Sequence, residues 1–413
     1  MQLLIALSIF TLAVECQPNK NKVANYETSA TSAYWNFERI VMDSAFTRGY
    51  QVTAADFNND QKPDLAAVSD REKEIVWYEN PTWEKHIISN STTSNIDLAP
   101  HDINDDGGMD MALACRFALN NSQEGGYVYW LENPGNADKL WEKHYIDSIP
   151  TAHRIRWVDV DGNGKEELIN LPIIGIGAMA PTYDVPLDMV SYAIPDDPKA
   201  DPWPKTIIDS SLHMAHGISI EQFVNDNQPD ILTASFEGVT LYTSVGEDGN
   251  NTWEKRQLGS GDISPRPKQG ASEVGLGSLG APDQPFIATI EPWHGHQVVV
   301  YTPNEHENEL WTRKVIDTTF VDGHALQCAD LNNDGISEII AGHRGEGYNL
   351  YIYHYHAQEN TWSRYTLDKG GMSAAGLFIF DFDADGYLDI AACGSRTNNV
   401  ILYRNLLGRS TKK

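Results

Sequence analysis

Three histidines share one register in this sequence. His153, His216 and His324 each lie six residues before the first position of a recurring polar turn, with Gln222 as the anchor for His216, and Tyr50 holds the same place in an earlier repeat. More candidates fall close to them in the pattern. The segment Glu-Pro-Trp-His-Gly-His supplies Trp293, His294 and His296, His343 is followed by Arg344, and Arg116 matches Arg344 in an earlier repeat. Two chemistries suit such a set. Three neutral imidazoles, here His153, His216 and His324, can hold Zn2+ or a similar divalent ion with one position left open. Alternatively, His216, His324, His294 and His343 act as general acids and bases while Arg344 and Arg116 steady an anionic or enolate oxygen. Trp293 interrupts the repeat and offers a flat apolar face to a ring; with His296 and Tyr50 it makes up the expected substrate-binding group. A single histidine at a strand start is ordinarily a packing residue, so the argument for a site is the shared register. His86, His101, His144, His306, His354 and His356 lie elsewhere in the repeat and read as structural or surface residues.

The recurring turns carry oxygen donors at positions 1, 3, 5 and 9. They are Asp56/Asn58/Asp60/Asp64, Asp102/Asn104/Asp106/Asp110, Asp159/Asp161/Asn163/Glu167, Asp330/Asn332/Asp334/Glu338 and Asp381/Asp383/Asp385/Asp389. Hard oxygen ligands around a tight loop suit Ca2+. The flanks are strands and position 12 lacks a bidentate Glu, so these are not EF-hands. One such turn alone would read as a solvated loop holding its own hydrogen bonds; five matched copies predict structural Ca2+ sites. A sixth turn keeps Asp226 and Asp230 but loses its first donor.

These residues are positioned by a repeat of roughly 50–60 residues. A Trp unit followed by apolar alternation recurs at Trp35, Trp83, Trp141, Trp203, Trp253, Trp311 and Trp362. Each later Trp is preceded by strand, Asp-rich turn, strand, and then a third strand such as EIVWYEN or NVILYRN. The pattern predicts an all-β, seven-bladed β-propeller with four antiparallel strands per blade over residues 34–406. The last repeat stops at its third strand and the first Trp unit stands alone, so the N-terminal strand is expected to close the ring. The Asp-rich turns then share one face, here called the bottom. The histidines fall at the starts of inner strands and are expected to converge on a funnel at the top.

Composition narrows the partners. With 58 acidic and 30 basic residues the formal charge is −28, which excludes a general nucleic-acid surface. No apolar run of membrane-spanning length follows the N-terminus. Residues 1–16 read as a secretory signal, predicting a secreted protein; a lipid anchor at Cys16 fits less well because Glu15 precedes it. Residues 17–33 read as a flexible lead-in and 407–413 as a tail. Cys115, Cys328 and Cys393 sit in apolar runs and are expected to be free thiols. Asn90, Asn120 and Asn250 begin glycosylation sequons.

Three segments are more specific than the turns: EPWHGHQVVVYTP (291–303), GHALQCADLNNDGISEIIAGHRG (323–345) and GMSAAGLFIFDFDADGYLDIAACGSRTNNVILYRN (371–405). Through them the chain resembles the FG-GAP/VCBS class of propellers and, within it, the propeller portion of the aldos-2-ulose dehydratases. The resemblance implies a metal-assisted dehydration site in the central cleft, acting on 2-keto sugars such as 1,5-anhydro-D-fructose or glucosone. Matching segments carry that site onto His153, His216, His294, His324, His343 and Arg344. That family also has cupin-type barrels linked to an isomerase step; none follows the last repeat here. The expected function is a carbon–oxygen lyase working by β-elimination on a small sugar. Two alternatives remain open: a polysaccharide lyase in which Arg116 and Arg344 neutralise a uronate, and a non-catalytic carbohydrate-binding or adhesive propeller.

Overall fold

A computed structural model describes residues 35–223, 228–246, 252–280, 284–306 and 309–409. The expectations for residues 1–16 and 17–33, for Asp226 and for the Asn250 sequon lie outside these residues. The described chain forms seven four-stranded antiparallel sheets, the blades of a propeller, followed by one short 3-10 turn at Leu407–Arg409. The strand Phe37–Asp43 pairs with Asn399–Asn405, with Phe37 opposite Asn405, so the N-terminal strand completes the last blade as expected. No described helix is long and apolar enough to cross a membrane. Cys115, Cys328 and Cys393 are free.

The inner strands surround the axis. In blade order they are Gly49–Ala55, Asp97–His101, Arg154–Val158, Gly217–Glu221, Glu273–Ser278, Gly323–Ala329 and Ala374–Phe380. Apolar side chains from neighbouring blades interlock between the sheets: Phe57, Trp77, Leu98, Met111 and Leu113 form one such cluster. Burial of these faces drives ring formation, since a lone blade would leave both of its faces wet.

Polar clasps fix one blade against the next. In five places a buried Tyr hydroxyl and a basic side chain grip the same acid of the preceding blade. Tyr78 and Lys85 hold Asp43 at 3.2 and 2.8 Å, and Tyr403 and Arg39 hold Asp368 at 2.6 and 2.9 Å. Asp147, Asp209 and Asp317 are held likewise by Tyr192/Lys205, Tyr242/Lys255 and Tyr353/Arg364. This explains the basic residue that follows most of the repeated tryptophans.

The position-9 carboxylate of each turn does structural work. Asp389 accepts the Phe382 N–H at 3.0 Å and the Asn405 N–H at 2.6 Å. Asp64 and Asp110 bind the equivalent amides of Phe57/Asn80 and Ile103/Asn133. Asp230, in the turn that lost its first donor, still accepts from Phe223 at 2.8 Å. The interaction therefore survives where the full donor set does not. Asp389→Ala strands two buried N–H groups, and urea unfolding should show a loss of roughly 2–5 kcal/mol; Asp389→Asn, which keeps one acceptor oxygen, should lose clearly less.

Candidate functional site

The first inward positions of the inner strands come together at the top of the channel. His153, His216 and His324 are completely or almost completely buried, with relative exposures of 0%, 0% and 1%. Tyr50 bridges two of them: its hydroxyl oxygen lies 2.9 Å from His153 Nε2 and 3.2 Å from His324 Nε2. His294 reaches in from the 291–297 loop and packs at 4.7 Å from the His216 ring and 5.0 Å from the His324 ring. Trp293 stacks on its outer face at 4.2 Å.

Hydrogen bonds assign several protons. His324 Nδ1 donates to the Ala375 carbonyl at 2.6 Å, which leaves Nε2 bare. Tyr50 then donates to that Nε2 and accepts from His153 Nε2–H, so His153 Nδ1 is left buried without a partner. His216 Nδ1 donates to the Ser272 carbonyl at 3.1 Å and lies 2.8 Å from Glu273 Oε1; its bare Nε2 has no partner. His294 Nδ1 sits between Arg344 Nη2 at 3.2 Å and Asp322 Oδ1 at 3.6 Å, and its Nε2 is buried and unpaired. Burial, reinforced by the charges of Arg154 and Arg344, holds His216 well below the usual imidazole range. Burial and the surrounding positive charge do the same for His153, His294 and His324. All four rings are neutral at pH 7, the form that ligates metals.

His216, His294 and His324 each offer one nitrogen, and these lie within 4.8 Å of one another. The orphaned Nε2 atoms of His216 and His294 fit a Zn2+-type ion. The expected trio was His153, His216 and His324. In the structure His294, rather than His153, brings a nitrogen within 4.8 Å of those of His216 and His324.

Two residues that the sequence reading did not single out stand directly beneath. Arg154 is buried, and its Nη2 binds Glu273 Oε1 at 3.1 Å while its Nη1 has no partner. Burial raises the Glu273 carboxyl to about 7, against the opposing pull of Arg154. A cavity of about 280 Å³ opens below this pair, lined by Gln51, Arg154, Arg156, Ser219, Glu273, His324 and Gln327 among others. Gly376 lets the inner strands of blades 7 and 1 approach closely beside Gln51, since a Cβ there would fall 2.7 Å from the Tyr50 carbonyl oxygen.

Other expected residues lie apart. His343 packs against Phe320 and Tyr351, facing the neighbouring blade rather than the axis. Arg116 is exposed over the Tyr127 ring at 5.2 Å, and among the described residues it makes no hydrogen bond to the four histidines. His296 is exposed beside Gln297. Arg344 borders the cluster but is paired with Asp322 at 3.0 Å. Trp293 spends one ring face on His294 instead of offering it to a ligand. The expected funnel is a roof: Phe117 covers His153 and joins Trp293 in an apolar cap with Ile173, Met214 and Phe236. His86 and His144, read as surface residues, are half-buried against Trp77 and Trp130.

The Asp-rich turns, expected to be alike, divide into two kinds. In blades 3 and 7, Asp159/Asp161/Glu167 and Asp381/Asp383/Asp385 bring oxygens within 4.8 Å of each other. Asp385 Oδ2 is buried without a hydrogen-bond partner. In blades 1, 2 and 6 no such three-acid group forms among the described residues. There the side chains expected to donate to a cation hydrogen-bond within or beside their own loops. Asn58 accepts the Asp60 N–H at 3.1 Å and donates to Glu79 at 3.3 Å, while Asp60 pairs with Lys62 at 2.6 Å. Asn104 accepts the Asp106 N–H at 3.1 Å and donates to Asp106 Oδ2 at 3.0 Å; Asp106 Oδ1 accepts the Gly108 N–H at 2.8 Å. Asn332 and Asp334 repeat that arrangement, with Asn332 donating to Asp334 Oδ2 at 3.1 Å and Asp334 Oδ1 accepting the Ile336 N–H at 2.9 Å. Asn163 of blade 3 stands outside the acid trio of its turn and accepts the Lys165 N–H at 2.7 Å. Asn58, Asn104, Asp106, Asn163, Asn332 and Asp334 thus each accept an amide of their own loop, as Asp161 and Asp385 of the acid groups also do. The cause is local, because an Asn or Asp oxygen readily captures the amide two residues on. In all five turns the first Asp also accepts two amides of its own loop, as Asp56 does from Asp60 and Gln61. Loop closure and cation ligation thus draw on the same oxygens.

Residues 125–304 match the family model of the aldos-2-ulose dehydratase β-propeller domain, and residues 56–113 and 330–392 match FG-GAP-like repeats. The chain is 26% identical over 333 residues to the aldos-2-ulose dehydratase of Phanerodontia chrysosporium, covering 72% of this chain and 36% of that protein. It thus spans little more than a third of that relative's length. Among solved structures, BBS1N in complex with ARL6DN matches with a TM-score of 0.52 at 14% identity, over 90% of this chain and 97% of that one. The Cps50 (Swd1) β-propeller domain of Myceliophteria thermophila matches with a TM-score of 0.50 at 10% identity, over 89% and 98%. Those two structures show the fold alone. The two family matches and the dehydratase relative agree with the resemblance read from the sequence.

The turns carry a pH signature of their own. Burial pushes Asp64, Glu167 and Asp389 up to about 7 and Asp110 up to about 6. Each titrates higher folded than unfolded, so the folded state binds extra protons between about pH 4 and pH 7. In EDTA, calorimetry should show Tm falling as pH rises through that window. A flat or rising Tm would contradict the burial of these carboxyls.

Proposed function

We propose that this protein is a carbon–oxygen lyase that dehydrates a 2-keto sugar, such as 1,5-anhydro-D-fructose or glucosone, by β-elimination beneath the histidine roof. The observation that carries this reading is the buried Arg154–Glu273 pair. It sits between a cluster of neutral imidazoles and a polar cavity, in a chain similar to a dehydratase propeller. Glu273, poised near neutrality, takes the proton from the carbon next to the carbonyl. The free Nη1 of Arg154 binds the oxygen that gains charge as the enolate forms. Protonated Glu273 then hands that proton to the departing hydroxyl, which leaves as water, while Tyr50 stays hydrogen-bonded to His153 and His324. An ion held by His216, His294 and His324 would supply Lewis acidity at the carbonyl oxygen. Calcium at the Asp-rich turns, best supported by the acid groups of blades 3 and 7, has a structural part in this scheme and stays outside the chemistry.

A neutral ketose suits the channel better than a uronate. Arg154, Arg156 and Arg344 are already matched by Glu273, Asp97 and Asp322, which leaves no unpaired cation among them to receive a carboxylate.

Incubation with 1,5-anhydro-D-fructose or glucosone should give the ultraviolet absorption of a conjugated enone. Its rate should rise as pH passes through about 7, where Glu273 ionises. Glu273→Gln should lower kcat roughly 100-fold or more, and Arg154→Met similarly, while Arg116→Ala and His343→Gln leave it within a few fold. Absence of enone from both sugars, or an undiminished rate in Glu273→Gln, would defeat the proposal.

A further inference from the structure

We propose that substrate enters from the face bearing the Asp-rich turns and climbs a blind channel to the histidine roof, so that the site accepts one pyranose ring presented end-on. The inference rests on the proposed function for the chemistry of the sugar; the route itself stands on the fold.

Exposure along the inner strands runs one way. Gly217–Glu221 is buried at its first two residues and half-exposed at the last three, and Ala374–Phe380 passes from buried Ala374 to exposed Phe380. Gly49–Ala55 and Gly323–Ala329 follow the same gradient from top to bottom. At the other end the roof histidines are buried under the cap of Phe117, Trp293 and Phe236. Side-chain exposure there narrows to 21% at His294, 15% at Arg344 and 29% at Asp322, three groups already in contact with one another.

Beneath the roof the open space is continuous around the axis. The cavity of about 280 Å³ under Arg154 and Glu273 shares Gln51, Arg156, Trp157, Gln327 and Leu377 with a second of about 230 Å³, which lies at the same height on the side of Ala54, Pro100 and Phe378. The first chamber is polar and lies at the small end of ligand sites, a size for a single sugar ring. The second adds apolar and aromatic walls. At their junction Arg156, 31% exposed, is anchored to buried Asp97 at 2.7 Å and presents a fixed donor group to hydroxyls that pass it. A channel closed at its top cannot be threaded, so an internal unit of a polymer does not reach the roof whereas a free ring or chain terminus does.

Single cysteines test the route without relying on turnover. Ala54→Cys, Ser219→Cys and Ala325→Cys mark the channel from bottom to top, lying two, three and five residues before the first turn position of their blades, and their alkylation by N-ethylmaleimide, located by peptide mass spectrometry, should slow in that order. Reversal of the order overturns the route. Gln327→Trp, introduced beside Ser219→Cys, should slow its labelling at least 10-fold, whereas Arg396→Trp on the opposite face should not; the opposite result also overturns it. 1,5-Anhydro-D-glucitol, which has the ring but no carbonyl, should protect Ser219→Cys, and β-cyclodextrin, which has no chain end, should not. Protection by cyclodextrin, or by neither sugar, removes the single-ring subsite. If the labelling order holds and no keto sugar yields enone, the lyase reading fails and the route stands.

Discussion

Water is excluded from the axis of the ring where the inner strands of blades 1, 3, 4 and 6 begin, and that exclusion sets the chemistry of everything nearby. Three buried imidazoles and the partly covered His294 stay neutral, because burial and nearby positive charge, with Arg154 acting on all four, disfavour the imidazolium. The same dry surroundings raise Glu273 even though a guanidinium touches it. A carboxyl and imidazoles whose ordinary values both lie below neutral pH are thereby moved in opposite directions. The outcome is a base that can cycle near pH 7, next to nitrogen atoms with free lone pairs.

Ring closure makes this possible. No blade holds more than a fragment of the site: Tyr50, His153, His216, Glu273, His294 and His324 come from five of the seven sheets. Their positions depend on the rotation from one blade to the next, which the Tyr–acid–base clasps and the position-9 carboxylates hold. The acidic turns and the histidine roof are thus mechanically related although they lie at opposite ends of the channel. The abundant negative charge of the chain lies partly in those turns, on the face through which a neutral sugar would approach.

The propeller was legible in the sequence because its period, its seven Trp units and its unpaired first strand are properties of the chain order. The histidines of the roof were legible for the same reason, since His153, His216 and His324 occupy one register and His294 stands in a segment that breaks the repeat. Register gives height along the axis but not direction. His343 and Arg116 match in height, yet they lie at or just beyond the ends of second strands, where His343 turns to a neighbouring blade and Arg116 to Tyr127. In the turns, likewise, matched spacing of oxygen donors does not say whether Asn104 or Asn332 faces an ion or the next amide of its own loop. Arg154 and Glu273 escaped notice because they lie 119 positions apart and meet only across the closed ring. Their signal was present one residue after the histidine register, where Gln51, Asp97, Arg154 and Glu273 place polar groups on inner strands. The blindness of the channel was not legible, because it depends on how the cap residues Phe117, Trp293 and Phe236 fold over the roof.

The central claim is that His216, His294 and His324 form one neutral, solvent-poor nitrogen site. Cobalt(II) titration of the metal-stripped protein, followed by visible absorption, addresses it most directly. The account predicts one tight ion per chain with the intense visible bands of a low-coordinate nitrogen site, lost in His294→Ala and His216→Ala but kept in His343→Ala. Weak octahedral-type absorption unchanged by His294→Ala, or the same loss in His343→Ala, would contradict it.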